Sequence, residues 1–457
     1  MKKKIIFITI ESVKRELNSK ILLALKALKR NYRVVIGQKG GLRQLIYDTH
    51  PGIMILKSFG PKNTKHINYI KKNNFKIVSS DEELITAMDF EDKIEWRMNN
   101  VNVDKIDLLL AVGSNDFPIL KRKFGSVVSK ILLCGNIRLE LLKKKYSRLL
   151  EKDSQLCKKK YGNYILLLTS FGSINKLHEK YSIDFIFNRI IDEDIDPDSH
   201  HIYLKNEEVK MNREMLINTL KFIDNFEKNF PNKKLVISPH PNEKIEFWEH
   251  YMDKRKFKNI FINTDMLSSS YSIIYGSEMI ISFNSTSLLE AHFLDKKRIN
   301  LLGNKPRNSE IDLFRKCSKV VRSSQELIEV IKDLDKTEHQ EVQEITEIKN
   351  YPDNFDSFDS ILNSFDELEE VYAYDYIYKN NYYYLKSKLR SFKNYIKKII
   401  SYQLKLDPMI KHLHKKKVGD RMSQKNFIQN VQHINSLEKV DNLKIKKVAP
   451  EVFLLDT

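Results

Sequence analysis

The feature that most constrains this chain is a repeated alternation. Short apolar runs of strand length are each followed by a segment with helical spacing. KIIFITI at residues 4–10 precedes an amphipathic stretch at 17–29 with LLALKAL at its centre. YRVVIG (32–37) comes next, and Gly40-Gly41 reads as a loop. GIMILKS (52–58), NFKIVS (74–79), KIDLLLAVG (105–113) and SKILLCG (129–135) continue the series. After a charged segment predicted as a helix over 139–160, the alternation restarts with YILLLT (164–169) and a helix over 211–229. KKLVIS (233–238), KNIFIN (258–263), EMIISF (278–283) and KRINLL (297–302) follow. Alternating strands and helices build parallel, doubly wound sheets.

Two such series predict two α/β domains of the Rossmann-like kind facing a central cleft, a GT-B-like layout. The first covers 1–150 and the second 161–335, which the resemblance given below implies are an acceptor domain and a nucleotide-donor domain. Residues 336–457 change character. An acidic linker leads into a tyrosine-rich and then basic stretch, which reads as a C-terminal helical extension. Residues 379–418 hold twelve Lys/Arg and one Asp. Leu385, Leu389, Phe392, Ile396, Ile399 and Ile400 fall at three- and four-residue steps, the pattern of a basic amphipathic helix suited to an anionic membrane surface.

The formal charge of +19 calls for an anionic partner or surface. No aromatic-basic motif within a recognisable nucleic-acid-binding fold is present, so nucleic acid is not expected as a partner. Cys134, Cys157 and Cys317 lie far apart without CxxC spacing, which fits a reducing compartment and neither a disulfide framework nor a zinc site. MKKKIIFITIES reads as a first strand and not a signal peptide. No run approaches eighteen apolar residues. The expectation is a cytoplasmic protein, peripheral on the inner face of the membrane through its tail.

Four loops at predicted strand carboxyl ends carry the chemistry, since ligands of open α/β sheets bind there. Asn284-Ser285-Thr286-Ser287 places hydroxyls at a helix start, with Ser287 and Glu290 in an S-x-x-E capping box. Such a helix N-terminus suits a phosphate, and Glu290 suits ribose hydroxyls. VISPHPNE (236–243) holds His240 between two prolines. Pro241 is expected in the first helical turn, with His240 at or beside the N-cap, donating to a phosphate. Thr169, Ser170, Gly172 and Asn175 form a small-residue loop after the first strand of the second domain. In the first domain Asp81, Glu82 and Glu83 follow one strand and Glu11 another. A carboxylate there would serve as the base that takes an acceptor proton. No DxD pair and no His/Cys cluster stands where it would hold a metal.

Read in order, ITIESVKRELNSKILLALKALKRNYRVVIGQK, PGIMILKS, SSDEEL, CGNIRLELL, YILLLTSFGSIN, SPHPNEKIEFW and ISFNSTSLLEA resemble the bacterial surface carbohydrate biosynthesis family over residues 4–305. The acidic, HP and hydroxyl-rich loops are also similar to those of sialyltransferases and Kdo-type transferases. Leu84 and Ser238 depart from the pattern, which has glycine and a basic residue there. The resemblance implies a GT-B-like, metal-independent glycosyltransferase of capsule or O-antigen assembly. It would use a nucleotide-sugar donor, CMP-linked by preference, and a lipid-linked glycan acceptor, with no tightly bound cofactor. Asp81 or Glu82 would be the base, with Glu11 as rival. His240 would be the phosphate ligand, and Ser285 to Ser287 its neighbours. A CDP-glycerol-type phosphotransferase and a non-catalytic GT-B-like assembly partner are the alternatives.

Overall fold

The computed structural model describes residues 3–457 apart from 47–48, 50, 85–97, 99–100, 115, 173, 176–199, 241–242, 264–269, 337–355, 369–371 and, within 374–421, all but 385, 389, 392, 393 and 396. The chain divides into two compact units, residues 1–141 with 350–457 and residues 142–349.

In the first unit β1 (Lys3–Ile10), β2 (Tyr32–Gln38), β3 (Ile53–Leu56), β4 (Lys76–Ser80), β5 (Leu108–Ala111) and β6 (Ile131–Leu133) are parallel, in the order β2-β1-β3-β4-β5-β6. Four consecutive residues of β1, Ile5 to Ile8, are at most 1% exposed. Both faces of the strand are therefore covered, which is why its sequence is apolar throughout and not alternating. Gly40 and Gly41, read as a loop, lie inside the helix Lys39–Ile46. The glycine is there for close approach: a Cβ on Gly41 would collide with the Pro450 carbonyl.

In the second unit β7 (Tyr164–Leu168), β8 (Lys234–Ser238), β9 (Ile260–Ile262), β10 (Met279–Ser282), β11 (Lys297–Leu301) and β12 (Lys319–Val321) are parallel, in the order β9-β8-β7-β10-β11-β12. This is the Rossmann order, reversing direction between β7 and β10. The helix predicted at 211–229 runs from His200 to Asn229. The one predicted over 139–160 is shorter, Arg148–Tyr161.

The chain end differs from a separate extension. β13 (Tyr372–Ala373) pairs with β1. A hairpin of β14 (Lys444–Ala449) and β15 (Val452–Asp456) adds to the first sheet through antiparallel pairing of β15 with β2. Charge and packing fix it there. Asp456 accepts from Lys3 Nζ at 2.7 Å and from Arg33 Nε and Nη2 at 3.0 and 2.7 Å. Phe453 stacks on Phe427 of the helix Gln424–Glu438 with ring centroids 4.0 Å apart.

Most of the basic stretch 379–418 lies outside the described residues. Leu385, Leu389, Phe392 and Ile396 are described, are helical, and are 54%, 68%, 59% and 39% exposed. Their spacing puts them on one helical face. Among the described residues no helix is long and apolar enough to cross a membrane.

Candidate functional site

In the second unit three loops leave the carboxyl ends of β7, β8 and β10, the central strands on either side of the reversal. Ser170 Oγ donates to the Phe283 carbonyl at 2.9 Å, so the β7 and β10 loops are joined at the switch point itself. The β7 and β8 loops are joined by a residue absent from the sequence-derived set, Glu243. It is 4% exposed. Its Oε1 accepts from Thr169 Oγ1 at 2.7 Å, Phe171 N at 2.8 Å and His240 N at 3.4 Å, and its Oε2 accepts from Trp248 Nε1 at 3.0 Å. Burial raises the Glu243 pKa, and the four donors oppose that rise without cancelling it. His240 N also donates to Thr169 Oγ1 at 3.2 Å. Asn175 accepts from Lys244 N through its carbonyl at 3.1 Å.

The expectation that His240 caps a helix is corrected. The helix after β8 is Ile245–Arg255 with Lys244 at its N-cap. Glu243 is drawn inward to its donors, and Glu243 N donates to the His240 carbonyl at 2.8 Å in a turn. The chain therefore turns before the helix begins. Pro241 lies outside the described residues. Gly172 is described, beside the joined loops.

The capping box also moves. The helix after β10 is Thr286–Phe293 and its N-cap is Ser285, not Ser287. Asn284 takes φ +45. It is anchored by Asn284 N to Asn300 Oδ1 (2.9 Å), Asn284 Nδ2 to the Ser309 carbonyl (2.9 Å) and Ile311 N to Asn284 Oδ1 (2.8 Å). That turn starts the helix two residues early. Ser287 Oγ is left to bond Ser282 Oγ at 2.8 Å and Ser285 Oγ at 3.1 Å. Glu290 is 6% exposed. Ser170, Asn284, Ser285 and Thr286 are part-buried, so hydroxyls, an amide and a helix N-terminus meet at a sheet's switch point. That combination receives an anionic group such as a phosphate.

The first unit gathers its carboxylates in the same position on its own sheet. Glu11 follows β1, and Asp81, Glu82 and Glu83 follow β4. Buried Lys20, half-buried Lys57 and Glu16, none of them singled out from sequence, bind them together. Lys20 Nζ donates to Glu16 Oε2 and to the Thr9 carbonyl, both at 2.7 Å, and lies 3.9 Å from Glu82 Oε1. Lys57 Nζ is 2.8 Å from Glu83, 3.7 Å from Glu16 and 3.8 Å from Glu11. Burial alone would raise the Glu16 pKa, but Lys20 and Lys57 outweigh it and hold it at about 2. Asp81 is fully buried and Glu82 is 6% exposed, whereas Glu11 stays accessible, 2.6 Å from Lys39.

Asp116, beyond the end of β5, is a further carboxylate missed in the sequence. It is 1% exposed and accepts from Val112 N at 2.9 Å. Burial, with Asp81 adding to it, pushes its pKa up to about 6, in the range useful to a proton acceptor. Among the described residues no group of three or more His, Cys, Asp or Glu is placed to hold a metal ion.

These features can be set beside known proteins. The structure of UDP-GlcNAc 2-epimerase from Methanocaldococcus jannaschii matches with a TM-score of 0.51 at 16% identity, covering 80% of this chain and all of that one. Another UDP-N-acetylglucosamine 2-epimerase matches at TM-score 0.50 and 11% identity, over 82% of this chain and all of that one. The wall teichoic acid polymerase TagF matches at TM-score 0.45 and 12% identity, over 80% of this chain and 88% of that one. At these identities the likeness concerns the fold, which is α/β and GT-B-like. No curated protein matches the chain. A family described as the KAP family P-loop domain matches residues 205–444. A P-loop needs Gly-x4-Gly-Lys-Ser/Thr between a strand and a helix so that backbone N–H groups cradle phosphates. That run occurs nowhere in this sequence, so no P-loop chemistry follows from the match. Because the matched segment spans more than half of the sequence, the chain belongs to the KAP family P-loop domain family.

Proposed function

We propose that the protein is a glycosyltransferase of surface polysaccharide assembly, such as capsule or O-antigen. It moves a sugar from a nucleotide donor to a lipid-linked glycan, without a metal. The observation that carries this reading is the Ser170–Phe283 bond at the switch point of the second sheet. It sets the hydroxyl-rich β10 loop and the β7 loop as one anion-receiving surface, with His240 held beside it through Thr169 and Glu243. In this reading the donor phosphate sits there, and His240 donates to it as the nucleotide leaves. The acceptor proton goes to a carboxylate of the first unit, Glu11, Asp81, Glu82 or Asp116. The likeness to sialyl- and Kdo-type loops favours a CMP-linked acidic sugar.

A thermal-shift and turnover screen over CMP, CDP, UDP, GDP and their sugars tests it. The expected result is stabilisation by CMP, weakened about tenfold to a hundredfold in affinity by His240→Ala, the worth of one hydrogen bond to a charged group. Stabilisation by UDP or GDP alone sinks the CMP assignment, and a phosphodiester product in place of a glycoside sinks glycosyl transfer. No response to any nucleotide sinks the donor site.

The exposed stripe Leu385, Leu389, Phe392 and Ile396, within a stretch of twelve basic residues, supports docking on an anionic membrane surface. The double variant Leu389→Asp/Phe392→Asp is expected to stop co-sedimentation with phosphatidylglycerol vesicles. Unchanged sedimentation refutes the docking.

A further inference from the structure

The sheet of the first unit has its own switch point, between β1 and β3. A small cavity opens there, lined by Thr9 of β1 and Glu11 just beyond it, by Lys57 and Ser58 beyond β3, and by Lys39, Arg43, Asn63 and His66 from the flanking helices. Its volume is about 10 Å³, room for the tip of a group and not for a sugar ring.

Two of its lining side chains are incompletely bonded for their burial. His66 is 6% exposed, and neither ring nitrogen has a hydrogen-bond partner among the described residues. Thr9 is 7% exposed, and its Oγ1 likewise has none. A buried polar atom without a partner costs about 1–3 kcal/mol, so two such side chains facing one cavity need an account. The surrounding charge shows the kind of group they wait for. Lys39, Arg43 and Lys57 line the cavity with the carboxylate of Glu11, which lies 2.6 Å from Lys39 and 3.8 Å from Lys57; Lys57 also meets Glu83 at 2.8 Å and Glu16 at 3.7 Å, so Arg43 and Lys39 supply the cationic excess. Arg43 Nη2 is steered by Asn63 Oδ1 at 2.6 Å, and Asn63 Nδ2 is held in turn by the Ser58 carbonyl at 3.0 Å.

We propose that this cavity is an oxyanion site, which takes a carboxylate or phosphoryl oxygen between His66, Thr9 and the three cationic side chains. The bound oxygen accepts from Thr9 Oγ1 and from one ring N–H of His66, and it competes with Glu11 for Lys39 and with Glu83, Glu16 and Glu11 for Lys57. The site lies within the first unit and stands whether or not the second unit binds a nucleotide.

The surroundings of His66 hold it neutral. Burial, then Arg43, then Lys39 lower its pKa to about 4. An oxyanion reverses the field and raises that value. The test is NMR of the full chain with its twelve histidines labelled, titrated with inorganic phosphate, with acetate, and with sodium chloride at matched ionic strength. The His66 signal, identified by its loss in His66→Gln, is expected to move its midpoint up by about one unit or more with phosphate or acetate and not with chloride. Response to phosphate alone assigns a phosphoryl group, and response to acetate as well admits a carboxylate. Arg43→Gln is expected to weaken the response about tenfold or more, with the other histidine signals unmoved to show an intact fold. An unmoved His66 in both salts overturns the proposal, as does a response equal to that with chloride or one unaltered by Arg43→Gln.

Discussion

Replacing Glu243 by alanine is expected to lower the stability of the second unit by about 2–4 kcal/mol, the result of leaving several buried donors without an acceptor. The carboxylate is buried and serves four donors on three segments, Thr169 Oγ1, Phe171 N, His240 N and Trp248 Nε1. Its removal leaves those donors facing protein without an acceptor, at about 1–3 kcal/mol each before relaxation. Glu243→Gln keeps one acceptor oxygen but turns an NH2 group toward N–H donors. It is expected to cost less, about 1–3 kcal/mol. Trp248 is a direct reporter, and a Trp96→Phe background leaves it as the only tryptophan. Urea unfolding followed by its fluorescence measures both variants. A loss under about 1 kcal/mol for the alanine variant would mean that water replaces the carboxylate and that the loops do not depend on it.

The second large effect is expected at Lys20 in the first unit. Lys20→Met removes a buried cation from between Glu16 and Glu82, which are 3% and 6% exposed. An uncompensated buried charge costs about 3–5 kcal/mol. The Lys20 pKa shows the same coupling from the other side. Burial would lower it, yet Glu82, Glu16 and Glu11 raise it above the usual lysine value. Adding Glu16→Gln removes the orphaned partner, so the double variant is expected to be more stable than the sum of the singles by about 1–3 kcal/mol. Chemical denaturation of the four proteins of the cycle measures this. Additive losses would show that Lys20 and Glu16 are not coupled.

The parallel strands β1 to β11 were legible in the sequence because strands buried on two faces are written as unbroken apolar runs, whereas the three-residue β12 was not. Ile5 to Ile8 and Tyr164 to Leu167 are examples. The final hairpin was not legible. β14, KIKKVA, exposes Lys444 and Lys446 around half-buried Ile445 and only then turns inward at Val448 and Ala449, and nothing local to the hairpin names β2 as the partner of β15. The loops chosen for chemistry do lie at strand carboxyl ends, because that follows from topology. Their local geometry was misjudged where a side chain reaches across the fold. Ser287 with Glu290 matches a capping box on paper, but the Asn284 turn, anchored by Asn300, Ser309 and Ile311, moves the cap to Ser285. His240 between prolines looks like a cap until Glu243 is drawn to Thr169 and Trp248. His66 was invisible because TKHINYIKK is an ordinary amphipathic helix, and only the fold places its imidazole beside Thr9 and Lys57. Glu16 and Lys20 read as a routine i,i+4 pair on a surface helix, and only burial turns them into the centre of a charge network.

The pairing of β15 with β2 also sets an order on how the molecule is made. Residues 142–349 are contiguous in sequence, so everything that the second unit needs leaves the ribosome together. The first unit has to wait. Its edge strand β2 is translated more than four hundred residues before Val452–Asp456 arrives to cover it, and until then it presents a row of unpaired amides to any neighbouring nascent chain. The ion pairs from Lys3 and Arg33 to Asp456 therefore join strands that are made more than four hundred residues apart.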